Sequence, residues 1–242
     1  MTLVTALACK NGIVMASDGQ ATVRSAGGPV RVEAEKIFKI NETTLFGASG
    51  EVGHIQKSFE IVKGIKELER GELTLSIKTL VKNKLSEMYA KEIEPIMRFH
   101  RALGISQLPQ PPIADIIIAK ILENGNPIIW HISPDCRDVA LEEIGYGCTG
   151  IGDIFAHTLL KGYKIKELNI EEGKLIAYNT LKMAIEVGAY GLGEPIYIWT
   201  LTKDEGAKKL SREEIMALKD TWIMWKEAEK ELFKKIPKKE IK

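Results

Sequence analysis

Pairs of short apolar segments joined by turn-forming residues are the feature that most limits the folds open to this chain. The first pair, residues 3–8 and 13–17, is joined through Asn11-Gly12. A second pair meets at Asn41-Glu42, and a third lies on either side of Asn124-Gly125. An Asn-Gly step between apolar runs is a strong signal for a β-hairpin. The sequence therefore predicts antiparallel strands rather than a parallel sheet with alternating helices.

Helical patterns occur between and after these strand segments. Apolar residues recur at three- and four-residue spacing over residues 50–68, 75–97, 151–160, 170–187 and 211–232. The predicted order is four strands, two helices, three strands, two helices, one strand and one helix. Because paired helices cover sheet faces instead of connecting successive strands, this order favours an α+β fold. We expect a four-layer αββα sandwich, with two antiparallel sheets packed face to face between helical layers.

The composition is that of an ordinary globular protein. Of the 242 residues, 45% are hydrophobic and 28% are charged, and the formal net charge is +1. This balance predicts neither a nucleic-acid partner nor binding to an anionic membrane surface. All apolar runs are shorter than the ~20 residues needed to span a bilayer. The N-terminus also lacks the layout of a signal peptide, so we expect a cytoplasmic protein. The three cysteines have no metal-ligand spacing, and we expect reduced thiols without a metal.

The sequence contains no internal repeat and no flexible linker. We therefore expect one domain over residues 2–202, followed by a C-terminal helical extension over residues 203–242. Trp222 and Trp225 lie three residues apart in that extension and are predicted to form its apolar face. His131, in the segment IIWHIS, is predicted to be a strand residue without a catalytic role.

Thr2 combines two groups that catalysis needs, provided that Met1 is removed, as is common when the second residue is small. Its hydroxyl is a nucleophile, and a free α-amine, with an ordinary pKa of about 7.7–8.0, suits a general base at neutral pH. Asp18 ends the second predicted strand, and Lys36 begins the third. A lysine held by a carboxylate would lower the pKa of the threonine hydroxyl through its positive charge. Each residue alone has a structural explanation, but the combination in this order is much more specific.

Three segments that carry these residues resemble the N-terminal half of proteasome β-type subunits, which belong to the N-terminal-nucleophile (Ntn) hydrolase superfamily. The segments are TLVTALACKNGIVMASDGQAT, EKIFKIN and FGASGEVGHIQ. The tripeptide Asp18-Gly19-Gln20 is most similar to the bacterial HslV-type peptidase, and a weaker similarity extends to GYGCTGIGDIFAHTLLKGY. The resemblance spans residues 2 to about 201 and implies the Ntn-hydrolase form of the four-layer sandwich.

The resemblance implies a threonine-type endopeptidase that works without a cofactor or a metal. The implied catalytic residues are Thr2, Asp18, Lys36 and Gly50, and the Gly50 N–H would stabilise the oxyanion. An extended peptide would bind along a strand edge, beside a pocket formed by Ala21, Thr22, Ala34, Ala48 and Val52. The implied partners are a peptide or protein substrate, further copies of the chain in a homo-oligomer or ring, and an ATPase unfoldase.

The chain departs from the resembling family in the segment VGAYGLGEP. Gly188 and Gly191 stand where a supporting Asp and Ser are expected, and Thr149 is a candidate to replace the serine of a Gly-Ser-Gly turn. Two alternatives therefore remain open. The same acyl-enzyme could be released to an amine, as in the proteasome-related connectases of methanogenic archaea, which are protein ligases. The chain could also be a catalytically silent ring subunit, as α-type subunits are.

Overall fold

Blocks of strands alternate with pairs of helices along the chain. The computed structural model describes residues 2–25, 28–69, 75–105, 114–133, 138–141, 143–187 and 191–235. Within these ranges the chain begins with the strands β1 (Leu3–Cys9), β2 (Gly12–Asp18), β3 (Gln20–Ser25), β4 (Gly28–Glu33), β5 (Ile37–Asn41) and β6 (Thr44–Gly50). The middle of the chain forms α1 (Val52–Lys63), α2 (Leu75–Ala102), β7 (Ala114–Ile121), β8 (Pro127–Ile132), β9 (Asp138–Ala140) and β10 (Tyr146–Gly150). The last elements are α3 (Asp153–Leu160), α4 (Ile170–Glu186), β11 (Ile196–Thr202), β12 (Gly206–Lys209) and α5 (Arg212–Lys235).

Two antiparallel sheets form the inside of the molecule. The first sheet has the strand order β10-β1-β2-β11-β12, and the second has the order β5-β6-β7-β8-β9. Strands β3 and β4 form a separate hairpin. The turn at Lys10-Asn11 joins β1 to β2 with Cys9 opposite Gly12, so the first predicted hairpin is confirmed. Strand β1 is thus an interior strand, held on one side by β10 and on the other by β2.

Strand β1 is buried on both faces, which explains why its sequence is apolar almost throughout. Leu3 and Leu7 pack on the helical side, whereas Val4 and Ala6 face the second sheet. Because successive side chains of a strand point to opposite faces, the same alternation assigns Thr2 to the face between the sheets. A fully buried large apolar side chain contributes about 1.5–3 kcal/mol, and a shift by one residue would exchange the two faces. The register of β1 is therefore strongly specified.

Helices cover the outer faces of both sheets. Helices α1 and α2 pack on the second sheet around Trp130, and α3 and α4 pack on the first sheet around Leu181. Helix α5 lies on α4, where the Trp222 indole N–H donates to Asn179 Oδ1 at 2.9 Å. Trp225 packs on the same core, so the predicted apolar face of this helix is confirmed, as is the α+β sandwich. None of the helices in the described ranges is long and apolar enough to cross a lipid bilayer.

The sequence pattern misses the β3–β4 hairpin, β10 and β12. Strand β4 is exposed along most of its length, so it has no apolar run to detect. Strand β10 has the sequence YGCTG, and glycine is unfavourable in strands. Strand β12 is only four residues long. The expectation of four strands before α1 is therefore wrong, and the strand expected at residues 139–144 is observed at Asp138–Ala140.

The expected boundary between the domain and its extension falls in the turn between β11 and β12. Strand β12 pairs with β11 and belongs to the first sheet. Helix α5 is the helical part of the segment beyond residue 202. The division at residues 202 and 203 stays a prediction. Residues 104–112, which the sequence comparison with the resembling family marks as an apparent insertion, lie mostly outside the described residues.

Candidate active site

Thr2 lies at the head of β1, directly before the residues that pair with both neighbouring strands. Leu3 is opposite Gly150 of β10. The Leu3 N–H donates to Asp18 Oδ1, at the end of β2, over 2.9 Å. Thr2 itself is 7% exposed. The first peptide of β1 is therefore held in place.

The Asp18 carboxylate is fully buried and accepts hydrogen bonds at both oxygens. Oδ1 accepts from the Leu3 N–H at 2.9 Å and from the Lys36 ammonium at 2.5 Å. Oδ2 lies 3.3 and 3.4 Å from the backbone nitrogens of Gln20 and Gly193. A buried carboxylate is costly unless its charge is paired and its lone pairs are used, and both conditions are met here. Asp18 therefore fixes the ammonium group relative to the first peptide of β1.

Lys36 is the cation of this pair and is 5% exposed. Its ammonium also donates to the Gln20 carbonyl at 2.7 Å, and its own carbonyl accepts from the Ala48 N–H at 3.2 Å. Burial lowers the pKa of Lys36 below the ordinary range of lysine, and the neighbouring Asp18 partly offsets this effect. A lowered pKa brings the release of a proton from the ammonium closer to neutral pH. The ion pair with Asp18 favours the charged form of Lys36 against the effect of burial.

The tripeptide Asp18-Gly19-Gln20 packs against the loop that precedes β11. A Cβ on Gly19 would lie 2.5 Å from the Pro195 carbonyl oxygen, so a side chain does not fit at this position. The Gln20 side-chain amide donates to the Gly191 carbonyl at 3.0 Å. Glycine therefore permits the close approach, and glutamine holds the loop against the end of β2.

Two glycines with left-handed backbone conformations end the strands β6 and β10. Gly50, exposed at the end of β6, has a φ of 125°, and Gly150, at the end of β10, has a φ of 105°. Residues with a Cβ rarely adopt such values. A Cβ on Gly150 would lie 2.1 Å from the Thr2 carbonyl oxygen and 3.3 Å from the Ser49 Cβ. Gly150 therefore allows Thr2 to approach the segment that contains Ser49 and Gly50.

The predicted substrate-binding residues fall on several elements. Ala21 and Thr22 lie on β3, and Ala34 lies between β4 and β5. Ala21 and Ala34 are half-buried, and Thr22 is exposed. Ala48 is fully buried in the core beneath α1 and α2, whereas Val52, at the start of α1, is 52% exposed. Their common role as a pocket stays a prediction.

A second polar cluster lies beside Gly150 and includes residues that the sequence does not single out. Ser49 Oγ and Thr149 Oγ1 are 2.7 Å apart, and the Thr149 hydroxyl donates to Asp115 Oδ2 at 2.5 Å. His131 Nε2 lies 2.6 Å from Asp115 Oδ1. Thr149 is a sequence candidate and His131 is in β8, as expected, but nothing in the sequence links either residue to Asp115. The available signal is a hydroxyl residue directly before a glycine in the segments ASG and CTG.

The described cysteines are poor candidates for chemistry. Cys9 and Cys148 are free and buried. Burial raises the pKa of the Cys9 thiol to about 12 and also raises the pKa of Cys148. Thiols of this kind stay protonated at neutral pH and react slowly. Cys136 lies outside the described residues, and within those residues no group of three or more His, Cys, Asp or Glu side chains is arranged to hold a metal ion.

Comparison with known proteins gives one consistent result. A family model described as proteasome subunit matches residues 2–198. Proteasome subunit beta 1 of Thermococcus onnurineus (strain NA1) is 24% identical over 220 residues, which cover 90% of this chain and 96% of the relative. Proteasome subunit beta of Methanothermobacter thermautotrophicus is 27% identical over 215 residues, covering 88% and 92%. Its counterpart in Methanococcus maripaludis (strain C5) is 28% identical over 219 residues, covering 88% and 89%. The resemblance inferred from the sequence motifs is thus confirmed, and the chain belongs to the proteasome subunit family.

Proposed function

We propose that this chain is a proteasome-type threonine peptidase whose nucleophile is Thr2, which becomes the N-terminal residue when Met1 is removed. The observation that carries the proposal is that one carboxylate oxygen accepts two hydrogen bonds. Asp18 Oδ1 binds both the Leu3 N–H and the Lys36 ammonium. A buried cation is thereby held next to the peptide that joins Thr2 to Leu3. Membership of the proteasome subunit family supports the same assignment.

In the proposed acylation step, Thr2 Oγ attacks the carbonyl carbon of the scissile peptide bond. The Thr2 α-amine, a group with an ordinary pKa of about 7.7–8.0, takes the hydroxyl proton and passes it to the leaving amine as the C–N bond breaks. The Lys36 ammonium lowers the pKa of the hydroxyl, and Asp18 keeps the ammonium in place. The Gly50 N–H stabilises the oxyanion, an interaction whose loss typically costs ~10²–10³ in rate.

In the proposed deacylation step, water attacks the ester between Thr2 Oγ and the acyl group. The same α-amine takes a proton from the water and returns it to Thr2 Oγ as the ester C–O bond breaks. The products are a carboxylic acid and the regenerated threonine hydroxyl. Both steps use groups of this chain and water, so the proposal includes no cofactor.

The second candidate function is a ligase that forms the same acyl-enzyme and releases it to an amine. The observation in its favour concerns Gly191, which stands where the resembling family has a supporting hydroxyl. Its carbonyl accepts from the Gln20 amide at 3.0 Å, and it has no side chain to offer the Thr2 amine. Weaker support of that amine would slow the activation of water. An incoming amine, which needs less activation, would then compete for the ester.

The molecular setting is part of the proposal. The relatives are named as proteasome subunits, and we infer that this chain acts on peptide or protein substrates as a homo-oligomer in the cytoplasm. An ATPase unfoldase is a candidate partner for delivering folded substrates. The mass of the native particle in solution tests the homo-oligomer directly.

The proposal is tested on the full chain in two stages. The intact mass of the protein purified from its native source shows whether Met1 has been removed. The protein is then mixed with a short apolar peptide 4-nitrophenyl ester, and the released nitrophenolate and the mass of the protein are followed. We expect a burst of one equivalent and an acyl group on Thr2, whereas the matched variant Thr2→Ala gives no burst.

The same reaction separates the alternatives. Retention of Met1 without a burst overturns the proposal and supports a catalytically silent subunit. A peptide with a free N-terminal amine is then added to the reaction of the active protein. Accumulation of the joined peptide at the expense of the acid would favour the ligase.

A further inference from the structure

A hydrogen-bonded chain of side chains joins the two sheets next to Thr2, and the proposed acylation and deacylation steps do not use it. Ser49 is near the end of β6, Asp115 is near the start of β7, His131 is in β8 and Thr149 is in β10. The linked distances are 2.7 Å from Ser49 to Thr149, 2.5 Å from Thr149 to Asp115 and 2.6 Å from Asp115 to His131. We call these four residues the inter-sheet relay.

The directions of these hydrogen bonds follow from the protons available. A carboxylate only accepts, so the Thr149 hydroxyl donates to Asp115 Oδ2, and the His131 Nε2–H donates to Oδ1. Thr149 has no second proton to offer. The Ser49 hydroxyl therefore donates to Thr149 Oγ1 over the 2.7 Å that separate them. The relay thus selects one orientation for each hydroxyl.

The relay crosses the interface between the two sheets, which also contains a large apolar cluster. Thr149 is fully buried and Ser49 is 5% exposed, and the space between the sheets also contains Val4, Met15 and Ile117. A buried hydroxyl is costly without a partner, whereas apolar side chains of similar size would fill the gap without any directional bond. Two buried hydroxyls that satisfy each other indicate that the geometry of this contact matters.

Two members of the relay directly precede the backbone segments that the proposed reaction needs. Thr149 directly precedes Gly150, whose Cβ position would be 2.1 Å from the Thr2 carbonyl oxygen. Ser49 directly precedes Gly50, the proposed oxyanion donor. Because β10 and β6 belong to different sheets, the hydrogen bond between the two hydroxyls ties the strand beside the nucleophile to the oxyanion turn.

We propose that the inter-sheet relay positions Thr2 against the Gly50 N–H, with Thr149 as its central positioning residue. This inference rests on the proposed function, since it names the residues that support the same acylation step. The proposed steps use no atom of the relay, which acts by holding two segments at a fixed separation. A misplacement of reacting groups by about 1 Å can cost about 10²-fold in rate. Loss of the relay therefore slows the chemical step and leaves substrate binding nearly unchanged.

The test compares Thr149→Val with the rescue variant Thr149→Ser and with the control Thr5→Val, all in the full chain. Thr5 is a buried threonine opposite Cys148, on the strand next to Thr149, and its hydroxyl has no hydrogen-bond partner among the described residues. The peptide nitrophenyl ester gives the saturating acylation rate and the ester concentration at half saturation. Thermal unfolding gives the midpoint for each variant.

We expect Thr149→Val to lower the saturating rate by about 10- to 100-fold and to change the half-saturating concentration by less than about threefold. Thr149→Ser keeps the hydroxyl and is expected to restore most of the rate. Thr5→Val removes a buried hydroxyl that makes no hydrogen bond to the described residues, and this variant is expected to react like the wild type.

The wild-type reaction separates this inference from the proposed function. If the wild type is not acylated at Thr2, the proposed function fails and the inference fails with it. If the wild type is acylated and folded Thr149→Val reacts at the same rate, the proposed function stands and the relay is not a positioning device. A lower unfolding midpoint with an unchanged saturating rate is the signature of a merely structural role and also refutes the inference.

A second variant decides the question if Thr149→Val does not fold. Ser49→Ala removes the Ser49 end of the relay and leaves the bond between Thr149 and Asp115 intact. We expect its saturating rate to fall by about tenfold, since the tie to the oxyanion turn is lost. An unchanged rate in this variant would overturn the inference.

Discussion

Replacement of Asp18 by Asn tests whether Lys36 is the buried cation on which the site is built. Asn has nearly the size of Asp, but it carries no charge. Its amide NH₂ would also face the backbone N–H groups that lie 3.3 and 3.4 Å from Asp18 Oδ2. Lys36, 5% exposed, would lose a carboxylate at 2.5 Å. Removal of one partner from a buried ion pair typically destabilises a protein by about 3–5 kcal/mol.

The loss of unfolding free energy has an upper limit, because the buried lysine can release its proton and become neutral. An unfolded lysine has a pKa of about 10.4, so keeping it neutral at pH 7 costs at most about 4.6 kcal/mol, from about 3.4 pH units at about 1.36 kcal/mol each. Asp18 raises the pKa of Lys36 against the effect of burial, so its removal lowers that pKa further. The expected loss of unfolding free energy at pH 7 is therefore about 3–4.6 kcal/mol, from the lower end of the typical ion-pair cost up to this upper limit.

The loss of unfolding free energy in Asp18→Asn is expected to become smaller as the pH rises. A lysine whose pKa is lower in the folded state binds fewer protons when folded than when unfolded. Stability therefore increases with pH between the folded pKa and the unfolded value of about 10.4, by at most about 1.4 kcal/mol per pH unit. The wild type, in which Asp18 favours the charged lysine, gains less over the same interval.

Urea unfolding at pH 7, 8 and 9 measures the difference in unfolding free energy between the wild type and Asp18→Asn. The double variant Asp18→Asn/Lys36→Met removes the buried cation and is expected to recover part of the stability at pH 7, with less dependence on pH. A loss below about 1 kcal/mol that does not change with pH would refute the reasoning, because it would show that Lys36 remains hydrated in the folded protein.

Lys36→Arg is expected to lower the acylation rate to that of the uncatalysed reaction, because a planar guanidinium does not replace a compact ammonium in the same space. Near-normal turnover of the peptide ester would show that any positive charge suffices. Gly150→Ala is expected to abolish acylation and lower the unfolding midpoint, since the new Cβ would lie 2.1 Å from the Thr2 carbonyl oxygen at a φ of 105°. A wild-type midpoint would contradict this close approach. For the substrate residue before the scissile bond we expect an apolar side chain, because the predicted pocket residues carry no charge. Each methylene buried there contributes about 0.8 kcal/mol of binding free energy, whereas a buried unpaired charge is costly. A peptide library varied at that position measures the preference, and selection of Arg, Lys, Asp or Glu would contradict it.

The strands that carry Thr2 and Asp18 could be predicted because several signals agree in their sequence. Both strands are apolar, and an Asn-Gly step separates them at the length of a tight turn. The sequence also marks Lys36 at the start of a later strand, and the family resemblance gives it the same role. The structure brings its ammonium to 2.5 Å from Asp18. Local pattern and motif were sufficient here because these residues stand at the ends of well-marked strands.

The inter-sheet relay could not be predicted, because sheet packing brings its members together. Ser49 and Thr149 are 100 residues apart in the chain, and Asp115 meets His131 only through the pairing of β7 with β8. Each residue is ordinary within its own segment. The β3–β4 hairpin escapes prediction for a different reason, since its exposed second strand lacks the apolar residues that mark the other hairpins.

The position of β1 in the first sheet has a consequence for protein synthesis. Strand β1 is made before β10, yet it pairs with β10, whose residues 146–150 are made much later. Asp18 also lies 3.4 Å from the backbone nitrogen of Gly193, which is made later still. Translation adds about 5–20 residues per second, and contacts between distant segments form slowly. The proposed nucleophile therefore acquires these surroundings only after residues 146–150 and Gly193 have been made, which would keep a shorter nascent chain inactive.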